Sequence, residues 1–151
     1  LLKENWFILF SSLQRNRCQV QLNIMIGNPD AVDANTRFIQ YNMNRMIDEF
    51  KLLEFNQEYN NEINRAKEII NWMKWADITL DLHSCSSPAP PHALPASNQI
   101  SENLALLLPV DFVLKDVSYA TVEKGTTGMW GTINNKIVIA VECGEHNSIK
   151  T

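Results

Sequence analysis

Two short apolar segments limit the folds that this chain can adopt. Asp77–His83 is mostly apolar, and Lys136–Cys143 is the most strongly apolar segment of all. Such segments are typical of strands in a parallel sheet that is covered on both faces. The predicted elements follow the order helix, strand, short helices, helix, strand, helix, strand, strand. This order predicts an α/β fold with a mostly parallel or mixed central sheet and helices on both faces.

The other elements are predicted from apolar spacing and from turn residues. Helical spacing predicts an amphipathic helix over residues 1–15, and alternation predicts a strand over Gln19–Ile26 that ends at Gly27-Asn28-Pro29. The later patterns predict short helical turns over 31–50, a helix over 58–76, a loop over 84–98, a helix over 99–108, a strand over 110–114 and a loop with a turn of helix over 119–131.

Charge and cysteine content narrow the class of protein. The formal net charge is −4 with Lys and Arg scattered, so no basic stripe exists to neutralise phosphates or a membrane surface. No apolar run approaches the ~20 residues needed to span a bilayer. The odd number of cysteines and the absence of a C-x-x-C pair favour a reducing compartment. We therefore expect a cytoplasmic single-domain protein that binds neither nucleic acid nor membrane. These features also allow the protein to form a homo-oligomer.

Polar groups end three of the predicted strands. They are Gly27-Asn28-Pro29, Asp81-Leu82-His83-Ser84 and Glu142-Cys143-Gly144. In open α/β sheets, ligands bind beyond the carboxyl ends of the strands. The coincidence predicts a site at this edge of the sheet.

Each candidate residue at these ends has two readings. Neutral imidazole can bind a metal or act as a general base, so His83 is either of these or a buried His bonded to backbone. Glu142 can manage protons if it faces a cleft, or it can point into water. Asp81 lies on the same strand face as His83 and can orient the imidazole or cap a loop.

Two arginines and two cysteines complete the candidates. Arg37 and Arg45 can bind a carboxylate, because a guanidinium offers paired donors that match its two oxygens, although most such pairs are solvated surface. Cys85 and Cys143 lack a paired spacing, and we interpret both as small packing residues.

Three parts of the chain together resemble the succinylglutamate desuccinylase/aspartoacylase family, a branch of the zinc carboxypeptidase fold. The first part is Gly27-Asn28-Pro29-Asp30-Ala31 with Asn35-Thr36-Arg37-Phe38-Ile39 and Asn42-Met43-Asn44-Arg45. The second is Asp81-Leu82-His83-Ser84, which is similar to the family's "DLHS" strand end. The third is Val141-Glu142-Cys143-Gly144-Glu145-His146, which resembles its "VE-x-G" strand. The order and the separations of the three also agree with the family.

The resemblance implies a role for each matched residue. His83 would be the third ligand of a Zn²⁺ cofactor, and Glu142 would take a proton from zinc-bound water and deliver it to the leaving amine. Arg37 would polarise the scissile carbonyl and stabilise the oxyanion. Asn44 and Arg45 would hold the carboxylate of the substrate.

The chain also departs from the family's pattern. The family's first two zinc ligands come from a His-x-x-Glu motif near its N-terminus, which is absent here, and residues from Leu1 onward resemble the helix that follows that motif. We therefore expect residues 1–151 to be a single catalytic-core domain fragment, without the N-terminal zinc motif and the C-terminal β-rich portion.

The resemblance implies a zinc-dependent amidohydrolase that removes the acyl group from an N-acyl amino acid or a similar small amide. A zinc carboxypeptidase acting on peptides has the same ligand geometry and is an alternative. A non-catalytic small-molecule binding domain that has lost the metal is another. The expected partner is a small N-acyl amino acid substrate.

Overall fold

The computed structural model describes residues 6–11, 21–55, 60–115 and 124–145. Within these ranges the chain forms six strands and five α-helices. The strands are β1 Trp6–Ser11, β2 Gln21–Ile26, β3 Ile78–Cys85, β4 His92–Pro95, β5 Phe112–Val113 and β6 Ile137–Glu145. The helices are α1 Pro29–Asp33, α2 Glu49–Glu54, α3 Asn61–Trp75, α4 Gln99–Ala105 and α5 Thr127–Ile133, with a 3₁₀ helix at Met43–Arg45.

The described strands form one mixed sheet in the order β2-β1-β3-β6-β4-β5. β3 and β6 are parallel, as are β4 and β5, and the remaining neighbours are antiparallel. The predicted α/β fold with a mixed central sheet is confirmed. Antiparallel pairings outnumber parallel ones among the described strands, so the sheet is mixed rather than mostly parallel.

The carboxyl ends of β2, β3 and β6 lie at one edge of the sheet. β1 is antiparallel to both β2 and β3, which makes those two strands run the same way, and β6 is parallel to β3. His83 and Glu142 are register partners at this edge. The three polar strand ends therefore meet at one edge of the sheet, as predicted.

Helices cover both faces of the sheet. On β6, Val138 packs into a core cluster with Ile63, Ile70 and Met73 of α3. The next residue, Ile139, packs on the other face with Ala105 of α4. Because successive side chains of a strand point to opposite faces, β6 is buried on both sides. This arrangement explains the unbroken apolar run of β6.

Asn and Asp side chains begin the helices that precede β3. Asn28, Asn42, Asp48 and Asn60 each accept a hydrogen bond from a backbone N–H in the first turn of α1, the 3₁₀ helix, α2 and α3, respectively. Frequent capping residues divide the stretch before α3 into short helices, which confirms the predicted helical turns. None of the described helices is long and apolar enough to cross a membrane.

Helix α3 lies within the predicted 58–76 helix and buries one apolar face. Its buried apolar residues are Ile63, Ala66, Ile69, Ile70 and Met73. Trp72 and Trp75 of the same helix are 46% and 86% exposed and lie outside this buried face.

The amphipathic helix predicted over residues 1–15 is wrong for Trp6–Ser11, which is strand β1. This segment contains five consecutive apolar residues, and its backbone is paired on both edges, by β2 and by β3. A continuous apolar run suits a central strand better than a helix with one apolar face. Residues 1–5 and 12–15 lie outside the described ranges.

The loop predicted over 84–98 contains an extra strand, and the turn of helix predicted within 119–131 is part of α5. β4 is only four residues long, too short for a period to show, and it pairs with β5 and β6. Helix α5 begins after Thr126, whose hydroxyl accepts from the backbone N–H of Met129. A Cβ on Gly131 of α5 would lie 2.5 Å from the Val138 side chain, so only glycine permits this close approach of α5 to β6.

Candidate active site

His83 and Glu142 face each other at the carboxyl edge of the sheet. Both side chains project from the same face, because the residues are partners in the parallel β3–β6 pair. Nδ1 of His83 lies 3.8 Å from Oε1 of Glu142 and 3.5 Å from Nδ2 of Asn44. His83 is buried, whereas the Glu142 side chain keeps 25% of its surface exposed. A buried imidazole and an accessible carboxylate thus share one cleft.

Asp81 lies against the other side of the imidazole. Its Oδ1 is 2.6 Å from Nε2 of His83, and the carboxylate is fully buried. Neither atom makes an aligned hydrogen bond within the described residues, and the contact is an ion pair when the imidazole is protonated. Burial lowers the pKa of His83, but the carboxylates of Asp81 and Glu142 raise it by more, and the net pKa lies above the ordinary value. Of the two readings of Asp81, the structure supports the orientation of the imidazole.

Thr127 holds the second oxygen of Asp81. Its hydroxyl donates a 2.5 Å hydrogen bond to Oδ2, and both residues are buried. Thr127 is the first residue of α5, so the close packing of that helix on β6 places the hydroxyl. Sequence reasoning missed this residue, because a Thr in a Gly- and Thr-rich stretch has no distinguishing spacing.

We expect Thr127→Val to destabilise the protein, because it keeps the shape of the side chain and removes the donor. Oδ2 of Asp81 would be left buried without a partner, which typically costs about 1–3 kcal/mol of unfolding free energy. Urea denaturation measures the loss, and Thr127→Ser, which retains the hydroxyl, should lose less. A Val variant as stable as the Ser variant would mean that this hydrogen bond contributes nothing.

A polar cavity of about 270 Å³ opens in front of His83 and Glu142. It is lined by all five residues predicted for the site, namely Arg37, Asn44, Arg45, His83 and Glu142. The structure therefore brings these residues together, and the individual roles predicted for them remain predictions.

The two guanidinium groups of this cavity differ in exposure. Arg37 is exposed, whereas Arg45 is partly buried and donates through Nη1 to the backbone oxygen of Asn44 at 2.7 Å. Burial lowers the pKa of Arg45, and the neighbouring charge of Arg37 lowers it further. Two like charges near one cavity produce a positive potential that favours an anionic ligand.

Backbone contacts fix the position of Arg45. Lys51 donates through Nζ to the Arg45 oxygen at 2.8 Å. Gly125 approaches the same backbone so closely that a Cβ there would lie 2.4 Å from the Arg45 carbonyl carbon, and its φ of 84° also favours glycine. The neighbouring Ile47 N–H bonds to the Gly125 oxygen at 2.9 Å.

Glu62 organises the loop that carries Arg37, and sequence reasoning missed it. Its buried carboxylate accepts from Asn28 Nδ2 at 2.6 Å and from the backbone N–H groups of Ile39, Gln40 and Tyr41 at 2.8, 2.7 and 2.5 Å. A Glu in the first turn of a helix is favoured by the helix dipole in any case. The sequence therefore does not distinguish Glu62 from an ordinary exposed Glu at that position.

Cys85 contacts the carboxylate of Glu142, so the interpretation of this residue as packing alone is wrong. Its Sγ donates to Oε2 at 3.2 Å. Burial and the Glu142 carboxylate raise the pKa of the Cys85 thiol to about 11, so the thiol is protonated near neutral pH and can act as a donor. Cys143 is exposed at the end of β6 and is not a packing residue either.

The described residues fit one ligand position of a zinc site. Protein zinc sites use three or four protein ligands, and no cluster of three or more His, Cys, Asp or Glu in the described ranges can hold a metal. His83 fits a single position, because Nδ1 faces the cavity while Asp81 lies against Nε2. Metal-binding histidines are usually oriented by such a carboxylate.

Comparison with known proteins identifies one family. The model of the succinylglutamate desuccinylase/aspartoacylase catalytic domain matches residues 8–143. This range includes all five predicted site residues and most of the described sheet. No curated protein and no solved structure matches the chain.

Proposed function

The chain belongs to the succinylglutamate desuccinylase/aspartoacylase catalytic-domain family, and on this premise we propose that it is the core of a zinc-dependent deacylase. The substrate is an N-acyl amino acid or a similar small amide. The observation that carries the proposal is the single cavity bordered by His83, Glu142 and two guanidinium groups. Both described cysteines are free thiols, in keeping with a reducing cytoplasm as the site of action.

The arginines bind and polarise the substrate. Arg45 and Asn44 hold the amino acid carboxylate, because a guanidinium pairs with both oxygens of a carboxylate. The exposed Arg37 reaches the carbonyl of the scissile amide, where negative charge develops in the transition state. The loop fixed by Glu62 holds Arg37 near the site before the substrate arrives.

Glu142 manages the protons. It accepts one proton from the attacking water and transfers it to the nitrogen of the leaving amine. This transfer requires a carboxylate in the cleft that can reach both positions. Its Oε1 faces His83, while Oε2 is held by the Cys85 thiol. These contacts restrict the rotation of the carboxylate.

His83 would hold a zinc ion through Nδ1, with Asp81 and Thr127 fixing the ring from behind. When bound, zinc polarises a carbonyl and lowers the pKa of a coordinated water to about 7. The further ligands would come from the His-x-x-Glu motif of the family, which residues 1–151 do not contain.

Substrate profiling of the complete protein tests the proposal. We expect release of free amine from N-acyl amino acids and none from peptides, together with about one zinc per chain by elemental analysis. A preference for peptides would instead indicate a zinc carboxypeptidase. Absence of both zinc and hydrolysis would indicate a binding domain that has lost the metal.

A further inference from the structure

A second cavity borders His83 and Glu142. It has a volume of about 130 Å³ and shares Asn44, His83 and Glu142 with the polar cavity. The rest of its wall comes from the end of β4, from α5 and from β6. We call it the apolar pocket, after the four side chains Leu94, Pro95, Met129 and Ala140 that line it. A substrate bound at the shared residues would reach both cavities at once.

The three threonine hydroxyl groups of the apolar pocket are already engaged. Thr127 donates to Asp81, and Thr132 donates to the Gly128 oxygen at 2.9 Å. The Thr126 hydroxyl accepts from the Met129 N–H in capping α5. Apart from the shared His83 and Glu142, no described residue of its wall is charged. A charged group placed here would therefore be desolvated with no counter-charge other than the shared His83 and Glu142, which is costly.

We propose that the apolar pocket takes one compact, uncharged, apolar group of the substrate, while the substrate's carboxylate binds in the polar cavity at Arg45. This inference rests on the proposed deacylase function and names its substrate class. The pocket is slightly smaller than a cavity of about 150 Å³ that holds benzene, so it suits a branched aliphatic or phenyl group. That group belongs either to the amino acid side chain or to the acyl moiety, since both are attached next to the scissile amide.

Two substrate series separate these sources. The first keeps the acetyl group and varies the amino acid as N-acetylglycine, N-acetylleucine and N-acetylaspartate. The second keeps glycine and replaces acetyl by benzoyl. One well-placed methylene changes kcat/KM by about 10-fold or more, so we expect the leucine or the benzoyl compound to exceed N-acetylglycine by at least about 10-fold. N-acetylaspartate hydrolysed as well as or better than both would overturn the inference.

Filling the pocket tests its location. Ala140 lies on the same strand face as Glu142, two residues earlier on β6. We expect Ala140→Leu to abolish the preference for the apolar substrate over N-acetylglycine, and the smaller Ala140→Val to reduce it. Leu107→Ala, at a position 79% exposed and outside both cavities, is the matched control. An unchanged ratio in a folded Val variant would place the apolar group elsewhere.

Calorimetric titration with the same compounds distinguishes failure of the inference from failure of the proposed function. Tighter binding of the apolar compound that is lost in Ala140→Val, without any hydrolysis, would retain the pocket and overturn the deacylase. Hydrolysis that favours the acidic compound would retain the deacylase and overturn the pocket.

Discussion

Replacement of Glu142 by Gln is expected to lower kcat/KM for N-acyl amino acids by about 10²–10⁴-fold, the usual contribution of a positioned acid–base group. The amide has nearly the same shape as the carboxylate but cannot accept and return the proton. Because Glu142 is partly exposed and lies at a strand end, we expect the variant to fold. The loss should appear in kcat rather than in KM.

The matched control for this substitution is Glu49→Gln. Glu49 pairs with Lys74 on the α2–α3 surface and lines neither cavity. Amine release should be close to that of the unaltered protein in this control. A Glu142→Gln protein that keeps most of its activity would remove Glu142 from proton transfer.

Replacement of Glu62 by Ala is expected to have the largest effect on stability. Four donors, three of them backbone N–H groups of residues 39–41, would lose the acceptor that they share in a buried position. Hydrogen bonds to a charged group contribute about 1.5–3 kcal/mol each, but such losses do not add fully, so we expect the free energy of unfolding to fall by about 3–5 kcal/mol. Urea denaturation of the complete protein measures the change.

Glu68→Ala is the control on the same helix. Its carboxylate pairs only with Arg65 among the described contacts and is 58% exposed, and exposed pairs contribute about 0–1 kcal/mol. We also expect the folded fraction of the Glu62→Ala protein to show a raised KM, because the loop that carries Arg37 loses its anchor. Equal stability of the two variants would show that the carboxylate of Glu62 does not hold the loop.

The parts of the fold that the sequence predicts are those in which one physical signal dominates. β6 is buried on both faces, so its apolar run is uninterrupted, and α3 has one buried face at helical spacing. The site follows from the polar residues that end β2, β3 and β6, because those ends meet at one edge of the sheet. The strand ends alone therefore predict that His83 and Glu142 lie close together.

The missed parts depend on contacts between residues distant in sequence. The strand β4 has four residues and exists through pairing with β5 and β6. The sequence predicts only a turn of helix where α5 lies, because the packing of α5 depends on the close approach of Gly131 to β6. The roles of Glu62 and Thr127 depend on partners that lie 21 to 46 positions away in the sequence, and no local pattern reveals such partners. The helix predicted at the start of the chain failed because an apolar run can satisfy helical spacing by chance.

The most direct test is a crystal structure of the Glu142→Gln protein with a slowly cleaved N-acyl amino acid bound. We expect the carboxylate of the ligand at Asn44 and Arg45, the carbonyl of its amide at Arg37, and the amide between His83 and residue 142. A ligand bound away from these residues, or an imidazole turned away from the amide, would contradict this expectation.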